Sequence, residues 1–265
     1  MRLLIALSAG LLTSVSATPV GTPTLTSRSA TSVQETVSLC TQYAYHSANG
    51  YEILNNLWGK DAATSGSQCT YYEGSTPSGG IKWSTDWVWQ GGQDNVKSYA
   101  YAGKILTKGQ KIAQITSMPT QVEWSYNQTS NVRANVAYDV FTAADPNHVN
   151  SSGDYELMVW LGRLGGVWPI SQAGAPVATV TIAGYTFDLY TGYNGSMRVY
   201  SFVRAGNSDI KSFSADIKLF FNYLEQTQQF PASTQNLIVY QIGTEAFTGG
   251  PARWSASSFS LDVKV

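Results

Sequence analysis

Only 17 of the 265 residues are acidic, so each carboxylate can be weighed as a candidate for chemistry. Three of them sit inside apolar, aromatic runs. Glu156 lies in Asp154-Tyr-Glu-Leu-Met-Val-Trp-Leu161. Strand alternation puts Glu156, Met158 and Trp160 on one face and Tyr155, Leu157, Val159 and Leu161 on the other. The second face is core. The first combines a carboxylate, a thioether and an indole, which a merely solvated face would not select. Glu245 lies in Gln241-Ile-Gly-Thr-Glu-Ala-Phe-Thr-Gly-Gly250 and shares a face with Gln241, Gly243 and Phe247. Here Gly243 is expected to leave space beside the carboxylate, and Gly249-Gly250 to end the strand. Asp139 lies in Val136-Ala-Tyr-Asp-Val-Phe141. The remaining acids, among them Asp61, Glu73, Asp94, Asp145, Asp209 and Glu225, fall in turns or beside Lys and read as solvated charges.

Two carboxyl groups in aromatic-lined strands suit hydrolysis of a glycosidic bond. One must protonate the leaving oxygen, and the other must attack the anomeric carbon or activate water. A poorly polar wall raises the acid's pKa toward the working pH. A third carboxyl beside them would hydrogen-bond one and shift the balance. Sugar rings present apolar faces that stack on Trp and Tyr, which gives the 8 Trp and 16 Tyr a use beyond the core. The competing explanation is three ordinary buried carboxylates paired with Arg or Lys. The residues by themselves leave open which glutamate would attack.

Other chemistries find little support. Charged residues make up 12% of the chain, about half the roughly 25% of an average soluble domain. With 16 basic and 17 acidic side chains there is no basic excess to hold nucleic acid. His46 and His148 lie far apart, and neither accompanies a nucleophile motif of the triad kind. No glycine-rich loop joins a strand to a helix to cradle phosphates. Cys40 and Cys69, with no neighbouring His or acidic cluster, do not make a zinc set. No metal or cofactor is expected.

The elements that must position these carboxylates read as short strands between Gly, Asn, Ser and Asp turns. Expected strands include Ile81–Gln90, Thr120–Tyr126, Asn135–Phe141, Tyr155–Leu161, Ala178–Ile182, Met197–Val203, Leu237–Ile242 and Ser257–Val263. One helix is expected over Ser214–Leu224, with Ile217, Phe220, Phe221 and Leu224 on one stripe, Ser214 as N-cap and Asp216 in the first turn. The fold class is all-β with one helix, in a single domain from residue 36 to 265.

Residues 1–17 read as a secretory signal: Arg2, the apolar run Leu3 to Leu12, and the small-residue site Val15-Ser16-Ala17. Residues 18–35, rich in Thr, Ser and Pro, read as a short disordered leader. A secreted, extracellular protein with no membrane span, acting as a monomer, is expected. In an oxidising compartment Cys40 and Cys69 pair most simply as one disulfide, contributing on the order of 3–4 kcal/mol in the chain-entropy model. Sequons at Asn127, Asn150 and Asn194 fit a glycoprotein surface.

The stretches Asn55-Asn-Leu-Trp-Gly59, Val136–Phe141, Asp154–Leu161, Tyr200-Ser-Phe-Val203 and Gly243-Thr-Glu-Ala-Phe-Thr-Gly249 resemble glycoside hydrolase family 12, in order, over residues 38 to 265. The resemblance implies a β-jelly roll of two curved antiparallel sheets, with a cleft on the concave face and the helix on the convex side. It implies a retaining endo-β-1,4-glucanase acting on a polysaccharide. Glu156 would be the nucleophile, Glu245 the general acid/base and Asp139 the supporting carboxylate. Asn56, Trp58, Met158 and Trp160 would line the cleft, Cys40–Cys69 would be the family disulfide, and Phe247, on the Glu245 face, is also expected to bind substrate. Retention requires the two carboxyl groups to lie about 5–5.5 Å apart.

Gly165-Gly166 and Pro169-Ile170-Ser171 resemble the xyloglucan-active members, whereas Trp168 and Ala246 depart from them. Xyloglucan is therefore the favoured substrate, with cellulose or mixed-linkage β-glucan as the alternative. A non-catalytic, lectin-like glucan-binding module is the competing class. It would need the aromatics but not both strand glutamates.

Overall fold

Alternation along the segment that carries Glu156 sets the architecture. The structure, a computed structural model, describes residues 36–148 and 151–265. The signal and leader expected before residue 36, and the Asn150 sequon, lie outside the described residues. Leu157, Val159 and Leu161 enter one apolar cluster, while Met158 and Trp160 enter a second on the opposite face of the same strand. A strand can serve two faces in this way because successive side chains point to opposite sides.

The strands are β1 (Val37–Leu39), β2 (Tyr45–Ala48), β3 (Tyr51–Leu54), β4 (Ser65–Ser75), β5 (Ile81–Gln90), β6 (Ser98–Lys104) and β7 (Pro119–Tyr126). They continue with β8 (Val132–Ala143), β9 (Tyr155–Leu164), β10 (Ala178–Ile182), β11 (Tyr185–Asn194), β12 (Met197–Arg204), β13 (Ser212–Asp216) and β14 (Asn236–Leu261). The one α-helix among the described residues, α1, spans Lys218–Gln228. One layer runs β2-β3-β6-β14-β8-β9-β12-β11-β10, and the other runs β1-β4-β5-β14-β7-β13. Pairing is antiparallel except between β9 and β12.

Strand β14 belongs to both layers. Its first part lies between β6 and β8, and its last part lies between β5 and β7. The expected stop at Gly249-Gly250 is therefore a corner. The pairing with β5 shifts register between Gly249 and Ala252, and both glycines have positive φ, +112° and +85°. A Cβ on Gly249 would stand 1.9 Å from the Asn131 carbonyl oxygen, so only glycine passes there. The segments expected as Leu237–Ile242 and Ser257–Val263 are two ends of this one strand.

The space between the layers holds the main core. Trp83 of β5 and Trp254 of β14 meet there with ring centroids 4.5 Å apart. Truncating Trp254 to Ala would cost about 3–5 kcal/mol. The helix lies on the convex back of the longer layer, where Phe220 packs edge-on against Phe187 of β11 and Phe202 of β12. Its start differs from expectation. Ser214 is in β13, opposite Gln121 of β7, because hydrogen bonding to the sheet edge captures Ser212–Asp216 first. The Asp216 carboxylate takes over the capping, accepting the N–H groups of Met118 at 2.7 Å and Lys218 at 2.9 Å. The Cys40–Cys69 disulfide is formed and ties the segment after β1 to β4.

Candidate active site

Three adjacent strands bring the carboxylates together on the concave face. Asp139 of β8 is opposite Met158 of β9 on one side and Gln241 of β14 on the other. Glu156 pairs with Phe141, two residues along β8, so Glu156 and Asp139 are diagonal neighbours. Glu245 of β14 is opposite Tyr99 of β6. All three acids line one cavity of about 360 Å³, together with Asn56, Trp58 and Tyr99.

Each side chain is held by identifiable partners. The Asn135 amide donates to Glu245 Oε2, and its oxygen accepts the Glu245 backbone N–H at 2.9 Å. Gln241 Nε2 reaches Asp139 Oδ2 at 3.5 Å. The Tyr99 hydroxyl donates to the Ala137 carbonyl at 2.9 Å, which locks its ring beside the acids. Buried Asn55 donates to the Thr41 carbonyl at 3.1 Å and accepts the Thr70 hydroxyl at 2.9 Å. That anchor fixes the turn from which Asn56 and Trp58 face the cavity. Trp58 is 54% exposed, an indole presented at the rim. Gly243 serves close packing and not open space: a Cβ there would stand 2.1 Å from the Ala100 carbonyl oxygen. Its absence lets β6 and the Tyr99 ring approach Glu245.

Met158, Trp160 and Phe247 occupy a different place from the one expected. They are 6%, 2% and 7% exposed and form a second apolar cluster with Ala137, Val167, Tyr190 and Val203. They are floor material, absent from the lining of the acid cavity. The Trp160 indole N–H donates to Met158 Sδ at 3.4 Å, which orients both.

Electrostatics single this cluster out. Among the described residues none of the three acids forms an ion pair, so the explanation by structural pairing with Arg or Lys does not hold. Glu73 and Asp209, expected as solvated charges, do pair, with Arg253 and Arg204. Burial, with a smaller push from the Glu245 charge, raises Glu156 to about 8. Burial raises Glu245 to about 7, opposed by the Asn135 hydrogen bond. Asp139 rises well above the ordinary carboxylate range, first from burial and then from the charges of Glu156 and Glu245. Three carboxyls packed without a cation hold protons toward neutral pH as a group. Among the described residues Asp139 Oδ1 is buried without a hydrogen-bond partner, and a proton placed between Asp139 and Glu156 sorts them, because it raises Asp139 and lowers Glu156. Two ionised carboxylates have no donor between them, so Asp139 carries the proton and supports a charged Glu156.

Sequence reasoning missed several residues here. Tyr99 was overlooked although Ser98-Tyr-Ala-Tyr-Ala102 alternates large aromatic with small residues, the mark of a strand with one open face. Asn135 carries no signal beyond being polar in an apolar strand, and Gln241, placed on the Glu245 face by alternation, was given no role. Asn194, read as a surface sequon, lines the acid cavity at the exposed turn between β11 and β12. Asn127 is exposed, its side-chain oxygen accepting the Arg253 N–H at 2.9 Å.

The Glycosyl hydrolase family 12 model matches residues 49–264. The chain belongs to this family. Endoglucanase A of Aspergillus kawachii is 45% identical over 91% of this chain and 98% of its own. Xyloglucan-specific endo-beta-1,4-glucanase A of Emericella nidulans is 44% identical over 89% of this chain and 95% of its own. The catalytic domain of Humicola grisea Cel12A, solved with a soaked thio cellotetraose, is 60% identical, with a TM-score of 0.82 over 86% of this chain and 99% of that one. Inactive glycoside hydrolase XLP1 of Phytophthora nicotianae is also 44% identical, over 84% of this chain and 91% of its own. Family 12 membership therefore gives fold and ancestry, and activity must be argued from the site.

Proposed function

We propose that this family 12 chain is a secreted, retaining endo-β-1,4-glucanase acting on plant cell-wall glucan, with xyloglucan as its favoured substrate. The observation that carries the reading is the cation-free trio of carboxyls, Asp139 and Glu156 buried and Glu245 half-buried, that lines one cavity with the exposed Trp58. A non-catalytic module gains nothing from such a trio, whose raised pKa values cost stability at neutral pH and suit acid–base chemistry.

In this reading neutral Glu245 gives its proton to the glycosidic oxygen while charged Glu156 attacks the anomeric carbon. The sugar–oxygen bond breaks, and a glycosyl ester forms on Glu156. Glu245, now ionised, takes a proton from water, which displaces Glu156 and releases the sugar with its configuration retained. Asp139 is a positioning residue that donates to Glu156 and favours its charged form. Asn56 and Trp58 hold the glucan, the indole by stacking on a sugar face.

Support for xyloglucan comes from the Gly165–Ser171 stretch and from the xyloglucan-specific relatives. Within this stretch, which follows β9, Trp168 departs from the xyloglucan-active pattern; it is 51% exposed, packed edge-on against Tyr190 and under the Arg163 guanidinium. The second reading is a cellulose or mixed-linkage glucanase, favoured by the likeness to the Humicola grisea domain with its cellotetraose analogue. Reducing ends released from xyloglucan, mixed-linkage glucan, carboxymethylcellulose and xylan decide. Xyloglucan should be cut fastest. Binding without new reducing ends on any glucan would replace the enzyme by a lectin-like module.

A further inference from the structure

Glu245 of β14 and Asn135 of β8 fall between the registered pairs Gly243–Ala137 and Ala246–Ala134, yet they are not themselves paired in the ladder. Side chains take over there. The Glu245 backbone N–H donates to the Asn135 side-chain oxygen at 2.9 Å, and the Asn135 amide donates to Glu245 Oε2. A regular antiparallel ladder would direct that N–H to the carbonyl of the residue opposite. The Asn135 carbonyl is instead taken by the Thr244 hydroxyl, which donates to it at 2.5 Å. The ladder is therefore open where the carboxyl of Glu245 must be held.

Thr244 follows Glu245 in alternation and so faces the other way, into the space between the layers. It is buried there with Tyr126 of β7 and Trp87 of β5. The Tyr126 and Thr244 hydroxyls meet at 2.7 Å, and the Trp87 indole N–H donates to the Tyr126 oxygen at 3.2 Å. A polar column thus crosses the core from one layer to the other, through Trp87, Tyr126, Thr244 and the Asn135 carbonyl. Its two ends fix the protons between them. An indole nitrogen only donates and a carbonyl only accepts, so Tyr126 donates to Thr244 and Thr244 donates to Asn135. Apolar side chains of the same shape would fill this space at little cost, so packing does not require the hydroxyls.

We propose that Thr244 is a positioning residue for Glu245: its hydroxyl, aimed across the core by Tyr126 and Trp87, occupies the Asn135 carbonyl and so turns the Asn135 side chain to the carboxyl. Without that hydroxyl the carbonyl is free to take back the Glu245 N–H, the ladder closes, and the amide loses its hold on the acid. The inference rests on the glucanase reading and deepens it, because it names what sets the state of the proton donor. Thr244 itself takes no part in bond breaking. The titratable groups that line the cavity with Glu245 are Asp139, Glu156, Tyr99 and Tyr43. None of them is hydrogen-bonded to Thr244, whose partners are Tyr126 and Asn135. A change at Thr244 therefore reaches Glu245 through Asn135, whose hydrogen bond holds Glu245 down.

The test measures kcat and KM against pH on xyloglucan and carboxymethylcellulose for wild type, Thr244→Val, Thr244→Ser and Tyr126→Phe. Thr244→Val keeps the shape and loses the donor. Its kcat should fall roughly tenfold, the size of one hydrogen bond, with KM unchanged, and its alkaline limb should move to higher pH. Thr244→Ser keeps the hydroxyl and should restore both. Tyr126→Phe leaves that hydroxyl unaimed and should fall between, so the test survives if the valine variant does not fold. Adding Thr244→Val to Asn135→Ala should move the limb no further, since the one acts through the other. A lower melting temperature with an unmoved limb, or a full further shift on the Asn135→Ala background, overturns the proposal and leaves the glucanase reading intact. A wild type that cuts no polymeric glucan overturns that reading, and the proposal with it.

Discussion

Asp139 and Glu156 lie diagonally across the β8–β9 ladder, with Asp139 Oδ1 buried and unpartnered among the described residues, so a protonated Asp139 is placed to hydrogen-bond a charged Glu156. The bond lowers Glu156, so removing the donor should raise it. In Asp139→Ala the acid limb of kcat/KM should move to higher pH, with a lower maximum. Asp139→Asn keeps an N–H donor and should leave the limb nearer to wild type. pH–rate profiles of the three proteins check this, and an unmoved limb in Asp139→Ala would contradict the role given to Asp139.

Asn135 does the corresponding work for Glu245. Its amide favours the charged form and holds down a group that burial has raised to about 7. A general acid must be protonated, so activity should fall as pH rises through about 7. Asn135→Ala should carry that alkaline limb upward. In Glu245→Gln the limb should disappear, with turnover of natural glucan down by about 10²–10⁴. Substrates whose leaving group needs no proton should lose much less.

Stability should follow the same protons. Glu245 has an ordinary value near 4.5 and a folded value of about 7, and the Asp139–Glu156 pair holds a shared proton above the ordinary carboxylate range. In between, the folded state binds more protons than the unfolded one, so stability declines as pH rises. The contribution of Glu245 is complete below 4.5 and lost through about 7. The melting temperature should therefore drop across that window, and Glu245→Gln, which cannot ionise, should flatten the drop. Thermal unfolding followed by circular dichroism tests this, and a melting temperature that rises from pH 5 to 8 would contradict it.

Asn194 is both a sequon and a wall of the acid cavity. A glycan there would fill the space that a glucan needs. Protein from a glycosylating host should be inactive in the fraction that carries sugar on Asn194. Ser196→Ala removes the acceptor signal, keeps Asn194 and should restore full specific activity. Mass spectrometry of separated glycoforms, with assays on each, checks the expectation. Full activity in a form glycosylated at Asn194 would oppose it.

The legible parts of the molecule were those with sustained local pattern. The alternation in Tyr155–Leu161 marked Glu156 as a carboxylate on a special face, and β5 and β10 ran as expected, Ile81–Gln90 and Ala178–Ile182. Strand β14 was hidden because Gly249-Gly250 signals a stop locally, while pairing with β5 and β8 carries the chain round the corner. Ser214 looked like a cap because helix periodicity begins nearby, and only the free edge of β7 explains why it is strand instead. Burial of Met158 and Trp160 depended on neighbours in β8 and β12 that alternation in one strand does not specify.

The central claim is that Glu156 forms a covalent bond to the sugar while Glu245 moves the proton. A 2-deoxy-2-fluoro β-cellobioside with an activated leaving group slows release of such an ester and lets it accumulate. Peptide mapping of the inactivated enzyme should find the label on Glu156 alone, and Glu156→Gln should take up none. Label on Glu245, or steady hydrolysis of other substrates with no covalent label on any residue, would contradict the account.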